Sequence, residues 1–97
     1  MAQTITKGVK SLLAEANKVV KTVSIEEAQA LLDSPDHVFV DLRDIRELKR
    51  SGKIPGAFSC PRGMLEFWID PESPYHKDIF DQDKTYLFYC ASAWRSA

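Results

Sequence analysis

The sequence predicts an α/β fold, in which helices flank a parallel β-sheet. Three short runs of apolar and aromatic residues, at 37–42, 57–60 and 85–89, have the length of buried strands. Segments with helical spacing and capping signals lie between these runs, and such alternation is typical of a parallel sheet. The chain has 97 residues, of which 44% are hydrophobic and 28% are charged, and this suits one small globular domain.

An N-terminal amphipathic helix is predicted within residues 1–21, ahead of a domain at residues 22–97. Apolar side chains recur at helical spacing from residue 4 to residue 20, and Thr4 could cap this helix. Its polar side carries four lysines: Lys7, Lys10, Lys18 and Lys21. A basic amphipathic helix can lie on a membrane surface, but this one lacks bulky aromatic residues for the interface. We therefore expect it to pack on its own domain or on a partner in a homodimer.

The helices of the domain have recognisable ends. Ser24 and Glu27 form a capping-box pattern, and the helix that they begin should stop near residues 34–35. Asp44 is placed to cap a second helix, which Gly52 would end. Two further short helical segments are predicted, at residues 64–69 and 77–80. Ligands bind at the C-terminal strand edges of such sheets, so the residues after each strand are the candidate site.

Cys90 follows the last predicted strand and is the strongest candidate for chemistry. The small residues Ala91, Ser92 and Ala93 could turn their N–H groups toward its sulfur and form an anion-binding nest. A helix beginning near Arg95 would add its positive end, and the Arg95 guanidinium could bind an oxyanion bidentately. A thiol in that field ionises easily, and the thiolate is the nucleophile. The alternative is that Cys90 is a small buried hydrophobe and Arg95 a surface cation.

Three motifs together resemble a rhodanese (sulfurtransferase) domain. They are the Asp-x-Arg of residues 41–43, the Gly-x-Ile-Pro-Gly-Ala of residues 52–57 and the Cys-x4-Arg of residues 90–95, in the family's order. The run at residues 61–68 resembles a bacterial single-domain subgroup. The resemblance covers residues 22–97 and implies a rhodanese-like parallel sheet flanked by helices. It also implies that a C-terminal helix-strand-helix is lacking after the Cys90 loop.

The resemblance implies sulfur transfer through a persulfide on Cys90. The Cys90 thiolate would attack a small anionic sulfane-sulfur donor such as thiosulfate, and a thiol or another thiophilic acceptor would then take the sulfur. The chemistry needs neither a metal nor an organic cofactor. Cys90 and Arg95 are the expected catalytic residues. The residues expected to bind substrate are Ala91, Ser92, Ala93, Trp94 and Arg43.

Two other functions remain open on the sequence. Cysteine phosphatases and arsenate reductases share the thiolate-in-a-nest chemistry, but their loops resemble Cys-x5-Arg, whereas four residues separate Cys90 from Arg95 here. No acid for a leaving alkoxide is evident beside Cys90. The second alternative is a rhodanese-like interaction module without catalytic activity. The expected lack of a C-terminal helix-strand-helix favours it, whereas the presence of both Cys90 and Arg95 argues against it.

Structural roles are expected for several other residues. Asp41 should hold the backbone or Arg43 in place, and an ion pair of Arg43 with Glu47 is favoured over a substrate contact. Cys60 precedes a proline on a strand and should lie in the core. Loops resembling this one often have glycine at the position of Ala93, so a positive φ there would cost alanine about 1 kcal/mol.

Composition excludes several classes of function. A net charge of -1 gives no basic field for nucleic acid, and the longest apolar runs are far shorter than a membrane span. The two cysteines, Cys60 and Cys90, form neither a disulfide framework nor a metal-ligand spacing. The cytoplasm, where Cys90 would stay reduced, is the expected compartment.

Overall fold

A computed structural model describes residue 4, residues 6–93 and residues 95–97. Three parallel strands form the sheet in this part of the chain: β1 (His37–Asp41), β2 (Phe58–Ser59) and β3 (Thr85–Tyr89). The strand order is β2-β1-β3, and β1 pairs with β3 in register from His37 with Thr85 to Asp41 with Tyr89. The predicted parallel sheet with flanking helices is therefore confirmed.

Helices begin largely where the capping residues predict, although the helix that follows Ser24 ends at Ala30 rather than near residues 34–35. The structure has four α-helices in its described residues: α1 (Val9–Asn17), α2 (Ile25–Ala30), α3 (Ile45–Ser51) and α4 (Leu65–Ile69). Short 3-10 helices cover Arg62–Met64 and Asp78–Phe80. Ser24 and Asp44 each form a complete capping box, in which the N–H of the cap residue donates to the carboxylate of the glutamate three residues on. Gly52 ends α3 with a φ of 72°, which glycine adopts without strain.

The core is small and is centred on β1. Val40, Leu42 and Cys60 are fully buried and contact one another. Partly buried side chains, most of them aromatic, pack around these three: Val38, Phe58, Leu65, Trp68, Phe80, Tyr86 and Phe88. Phe58 meets both Trp68 and Phe80 edge-on, with ring centroids 5.9 and 5.8 Å away. This packing holds α4 and β3 against the central strand.

The N-terminal helix differs from its prediction in two respects. It begins after Gly8 rather than at Thr4, and Gly8 provides no side-chain cap. It also buries none of its residues, and Val9 and Leu12 remain 57% and 51% exposed. The expected packing on its own domain is therefore not seen among the described residues. No helix in the same part of the chain is both long and apolar enough to cross a bilayer.

Candidate active site

The C-terminal ends of the three strands lie at one edge of the sheet, where Arg43 follows β1 and Cys90 follows β3. The Leu42 N–H donates to the Tyr89 carbonyl at 2.9 Å, which fixes the end of β1 beside the start of the Cys90 loop. The Cys60 N–H donates to the Asp41 carbonyl, also at 2.9 Å, so the end of β2 joins the same edge. Backbone pairing that continues past the strands thus positions the loop relative to the core.

The Cys90 thiol lies half-buried among hydrogen-bond donors. Burial raises its pKa, but hydrogen bonds from the N–H groups of Ser96 and Ser92 oppose this effect. The Ser96 hydroxyl, whose Oγ lies 3.7 Å from the Sγ of Cys90, and the Arg95 N–H act in the same direction. The donors prevail and lower the pKa of Cys90 from 9.0 to about 7. The nucleophilic thiolate of Cys90 is therefore well populated at neutral pH.

The Arg95 side chain is held by a carboxylate from α3. Its two terminal nitrogens donate to the two oxygens of Glu47, each at 2.8 Å, in a bidentate ion pair. Glu47 also accepts the N–H of Asp44 at 2.7 Å, so the capping box of α3 orients the carboxylate. The hydrogen bonds from Arg95 are the first cause that lowers the pKa of Glu47, to about 2. The pKa of Arg95 is raised chiefly by its hydrogen bonds to Glu47 and further by the nearby charge of Cys90.

Arg43 has a different partner from the one expected. Its Nε and Nη2 atoms donate to Asp41 at 3.0 and 2.8 Å, and Nη2 also donates to the Gly52 carbonyl at 2.7 Å. The expected Arg43–Glu47 ion pair is therefore wrong, because Arg95 occupies Glu47. The expectation that Asp41 holds Arg43 is confirmed, and Asp41 is fully buried. These contacts hold the Arg43 side chain between Asp41 and the end of α3, and none of them involves the Cys90 sulfur.

The loop residues predicted to bind substrate are exposed where the structure describes them. Ala91, Ser92 and Ala93 face solvent, and the Ser92 N–H is one of the donors to Cys90. Ala93 has a φ of 64°, so the position does require the left-handed conformation. Trp94, also predicted to line the site, lies outside the described residues. The expected helix near Arg95 is a turn in residues 95–97, so individual N–H groups rather than a helix end act on the thiol.

One contributor to the site, Ser96, and the partner of a second, Glu47, were not predicted from the sequence. Ser96 places its hydroxyl and its N–H against Cys90, and its only signal was a hydroxyl residue directly after the arginine. Glu47 was singled out, but its partner lies 48 residues along the chain, which local patterns do not reveal. Cys60 is fully buried, as expected for a core residue, and burial raises its pKa to about 11. The described residues contain no group of three His, Cys, Asp or Glu side chains that could hold a metal ion.

Comparison with known proteins identifies the family. The model of the rhodanese-like domain matches residues 24–97. No curated protein matches the chain. A solved structure from Rhodopseudomonas palustris CGA009, that of a protein of unknown function described as a possible tyrosine phosphatase, is 58% identical to this chain with a TM-score of 0.94. The match covers 99% of this chain and 74% of that one. With a family match over most of its length, the chain belongs to the rhodanese-like domain family.

Proposed function

We propose that the protein is a sulfurtransferase that carries sulfane sulfur as a persulfide on Cys90. The observation that supports this most strongly is the thiol with a pKa of about 7, surrounded by N–H and O–H donors. The Cys90 thiolate attacks the outer sulfur of thiosulfate. A bond forms between Sγ and that sulfur, and the sulfur–sulfur bond of thiosulfate breaks as sulfite leaves with the electron pair. No net oxidation occurs.

The loop donors suit each anion in this cycle. The N–H groups of Ser92, Arg95 and Ser96 stabilise the thiolate before attack, and they would also face the persulfide anion, whose charge lies on the outer sulfur one bond from Sγ. Both terminal nitrogens of Arg95 donate to the Glu47 carboxylate, so the main role of the arginine is to fix the conformation of the Cys90 loop. Its charge also favours the anionic forms of Cys90.

The description of the similar bacterial protein makes phosphate-ester hydrolysis the second candidate. Two features of this chain disfavour it. Four residues separate Cys90 from Arg95, which is one fewer than in the loops of cysteine phosphatases. Each described carboxylate near the loop is also engaged by an arginine, Asp41 by Arg43 and Glu47 by Arg95, so neither is placed to protonate a leaving alkoxide.

The same chemistry suggests a reducing compartment. Both cysteines are free thiols, and Cys90 must stay reduced to accept sulfur. We therefore propose the cytoplasm as the site of action, with an anionic sulfane-sulfur donor and a thiol or another thiophilic acceptor as the small-molecule partners.

Parallel assays of the purified protein test the proposal. We expect thiocyanate to form from thiosulfate and cyanide, and little hydrolysis of p-nitrophenyl phosphate. Cys90→Ser should abolish thiocyanate formation, whereas Cys60→Ala, as a matched control, should retain it. Phosphate release that depends on Cys90, without thiocyanate, would establish the phosphatase alternative. Absence of both activities in folded protein would favour a non-catalytic interaction module.

A further inference from the structure

An open cavity of about 460 Å³ lies beside α3, next to the candidate active site. Four charged residues line it: Asp44, Arg46, Glu47 and Arg50. The cavity adjoins the Cys90 loop because Glu47 is also the residue that holds Arg95.

The charges in this cavity are paired except for one. Arg46 contacts Asp44 at 3.1 Å, and Glu47 is neutralised by Arg95 at 2.8 Å. Arg50 is exposed and forms no ion pair within the described residues. It follows Glu47 by three residues in α3, and side chains at this spacing are neighbours on one face of a helix. An uncompensated cation therefore stands about one helical turn from the residue that fixes the catalytic loop.

We propose, on the basis of the sulfurtransferase activity proposed above, that this cavity receives the carboxylate-bearing part of the thiol acceptor, with Arg50 as its anchoring cation. The acceptor thiolate attacks the outer sulfur of the Cys90 persulfide. A bond forms between the acceptor sulfur and the outer sulfur, the bond from the outer sulfur to Sγ breaks, and Cys90 leaves as a thiolate. The products are the acceptor persulfide and the starting enzyme, with charge conserved.

The cavity fits the acceptor better than the donor. Thiosulfate carries its charge next to the sulfur that is attacked, so a donor bound at Cys90 would meet the loop N–H groups without reaching the cavity. An organic thiol must bring only its sulfur to the loop, and the rest of the molecule extends away from it. A carboxylate on that remainder would meet Arg50 in the cavity, whereas an uncharged thiol would gain nothing there.

Two disulfide reagents test the anchoring cation without requiring sulfur transfer. The thiolate of Cys90 reacts with 5,5′-dithiobis(2-nitrobenzoate), which carries a carboxylate, and with 2,2′-dithiodipyridine, which is neutral. For Arg50→Gln we expect the rate with the carboxylate reagent to fall about threefold at low salt, as for one exposed charge pair, and the rate with the neutral reagent to stay unchanged. Lys49→Gln is the matched control, since Lys49 is exposed on the same helix but does not line the cavity.

The second measurement compares acceptors in turnover, with mercaptosuccinate against 2-mercaptoethanol. Arg50→Gln should raise KM for mercaptosuccinate alone, and 0.5 M salt should remove the difference between variants. A reagent preference that changes no more in Arg50→Gln than in Lys49→Gln would overturn the role of Arg50. If that preference depends on Arg50 but wild-type Cys90 takes up no sulfur from thiosulfate, the acceptor assignment is overturned together with the proposed function, and Arg50 is left as an anion anchor.

Discussion

Replacing Ala93 by glycine should stabilise the protein, although the substitution removes a side chain. Ala93 lies in the Cys90 loop with a φ of 64°, and it is the only non-glycine residue with positive φ in the described part of the chain. An L-residue with a Cβ pays a steric penalty in this conformation that glycine does not pay. The loop therefore stores backbone strain at the residue that precedes Trp94 and Arg95.

The size of the effect follows from two opposing terms. Relief of the left-handed conformation contributes about 1–2 kcal/mol. Glycine lowers the free energy of unfolding by roughly 0.5–1 kcal/mol, because it has more conformational freedom than alanine in the unfolded chain. We therefore expect a net gain of about 1 kcal/mol, or a rise in Tm of about 4–8 °C for a domain of this size.

Thermal unfolding followed by circular dichroism measures this gain, with Ala91→Gly as the matched control. Ala91 is an equally exposed alanine of the same loop without positive φ, so its replacement should lower Tm through the unfolded state alone. The Cys90 pKa should stay near 7 in Ala93→Gly, because Ser92, Arg95 and Ser96 supply the donors. If Ala93→Gly melts at or below the temperature of Ala91→Gly, the strain argument is refuted.

Four other predictions concern the charges around Cys90. The rate of iodoacetamide alkylation of Cys90 should rise with pH to a midpoint of about 7, and a midpoint near 9 would contradict the donor nest. Since this pKa is depressed on folding, the stability that Cys90 contributes should be complete above pH 9 and lost as pH falls through 7, which a comparison of unfolding free energies with Cys90→Ser would measure. Glu47→Gln should slow the transfer of sulfur from thiosulfate to Cys90 about tenfold, because the Arg95 guanidinium would lose its bidentate ion pair. An unchanged rate would show that this ion pair does not position the loop. Asp41→Asn should lower the free energy of urea unfolding by about 2 kcal/mol, because Arg43 would lose its buried ionic partner, whereas a neutral effect would show that the pair contributes nothing net.

Most of the fold could be predicted because its signals are local. The capping box at Ser24 and the helix cap at Asp44 each depend on residues within four positions, and both are formed as predicted. The residues of β1 and β3 are buried or half-buried except for Thr85, as expected for strands of a parallel sheet. The N-terminal helix was less predictable, since apolar spacing alone does not show where a helix begins when no capping side chain is present.

The site was predictable in its nucleophile and less so in its charge pairs. Cys90 could be placed at a strand end from the residues around it. The partner of each arginine depends instead on how α3 packs against the Cys90 loop. Two carboxylates, Asp41 and Glu47, lie close enough to Arg43 in sequence to pair with it. In the structure Arg43 forms an ion pair with Asp41, and Glu47 forms one with Arg95. Such a choice is made by tertiary packing, which local spacing does not encode.

The central claim is that Cys90 carries sulfur, and intact mass spectrometry tests it most directly. The protein is incubated with thiosulfate under non-reducing conditions, desalted and weighed, with Cys90→Ser and Cys60→Ala alongside. We predict that the wild type and Cys60→Ala each gain the mass of one sulfur atom, that peptide mapping locates it on Cys90, and that cyanide removes it as thiocyanate. A wild-type protein with an alkylatable Cys90 thiolate but no added sulfur would contradict the account, as would equal loading of Cys90→Ser.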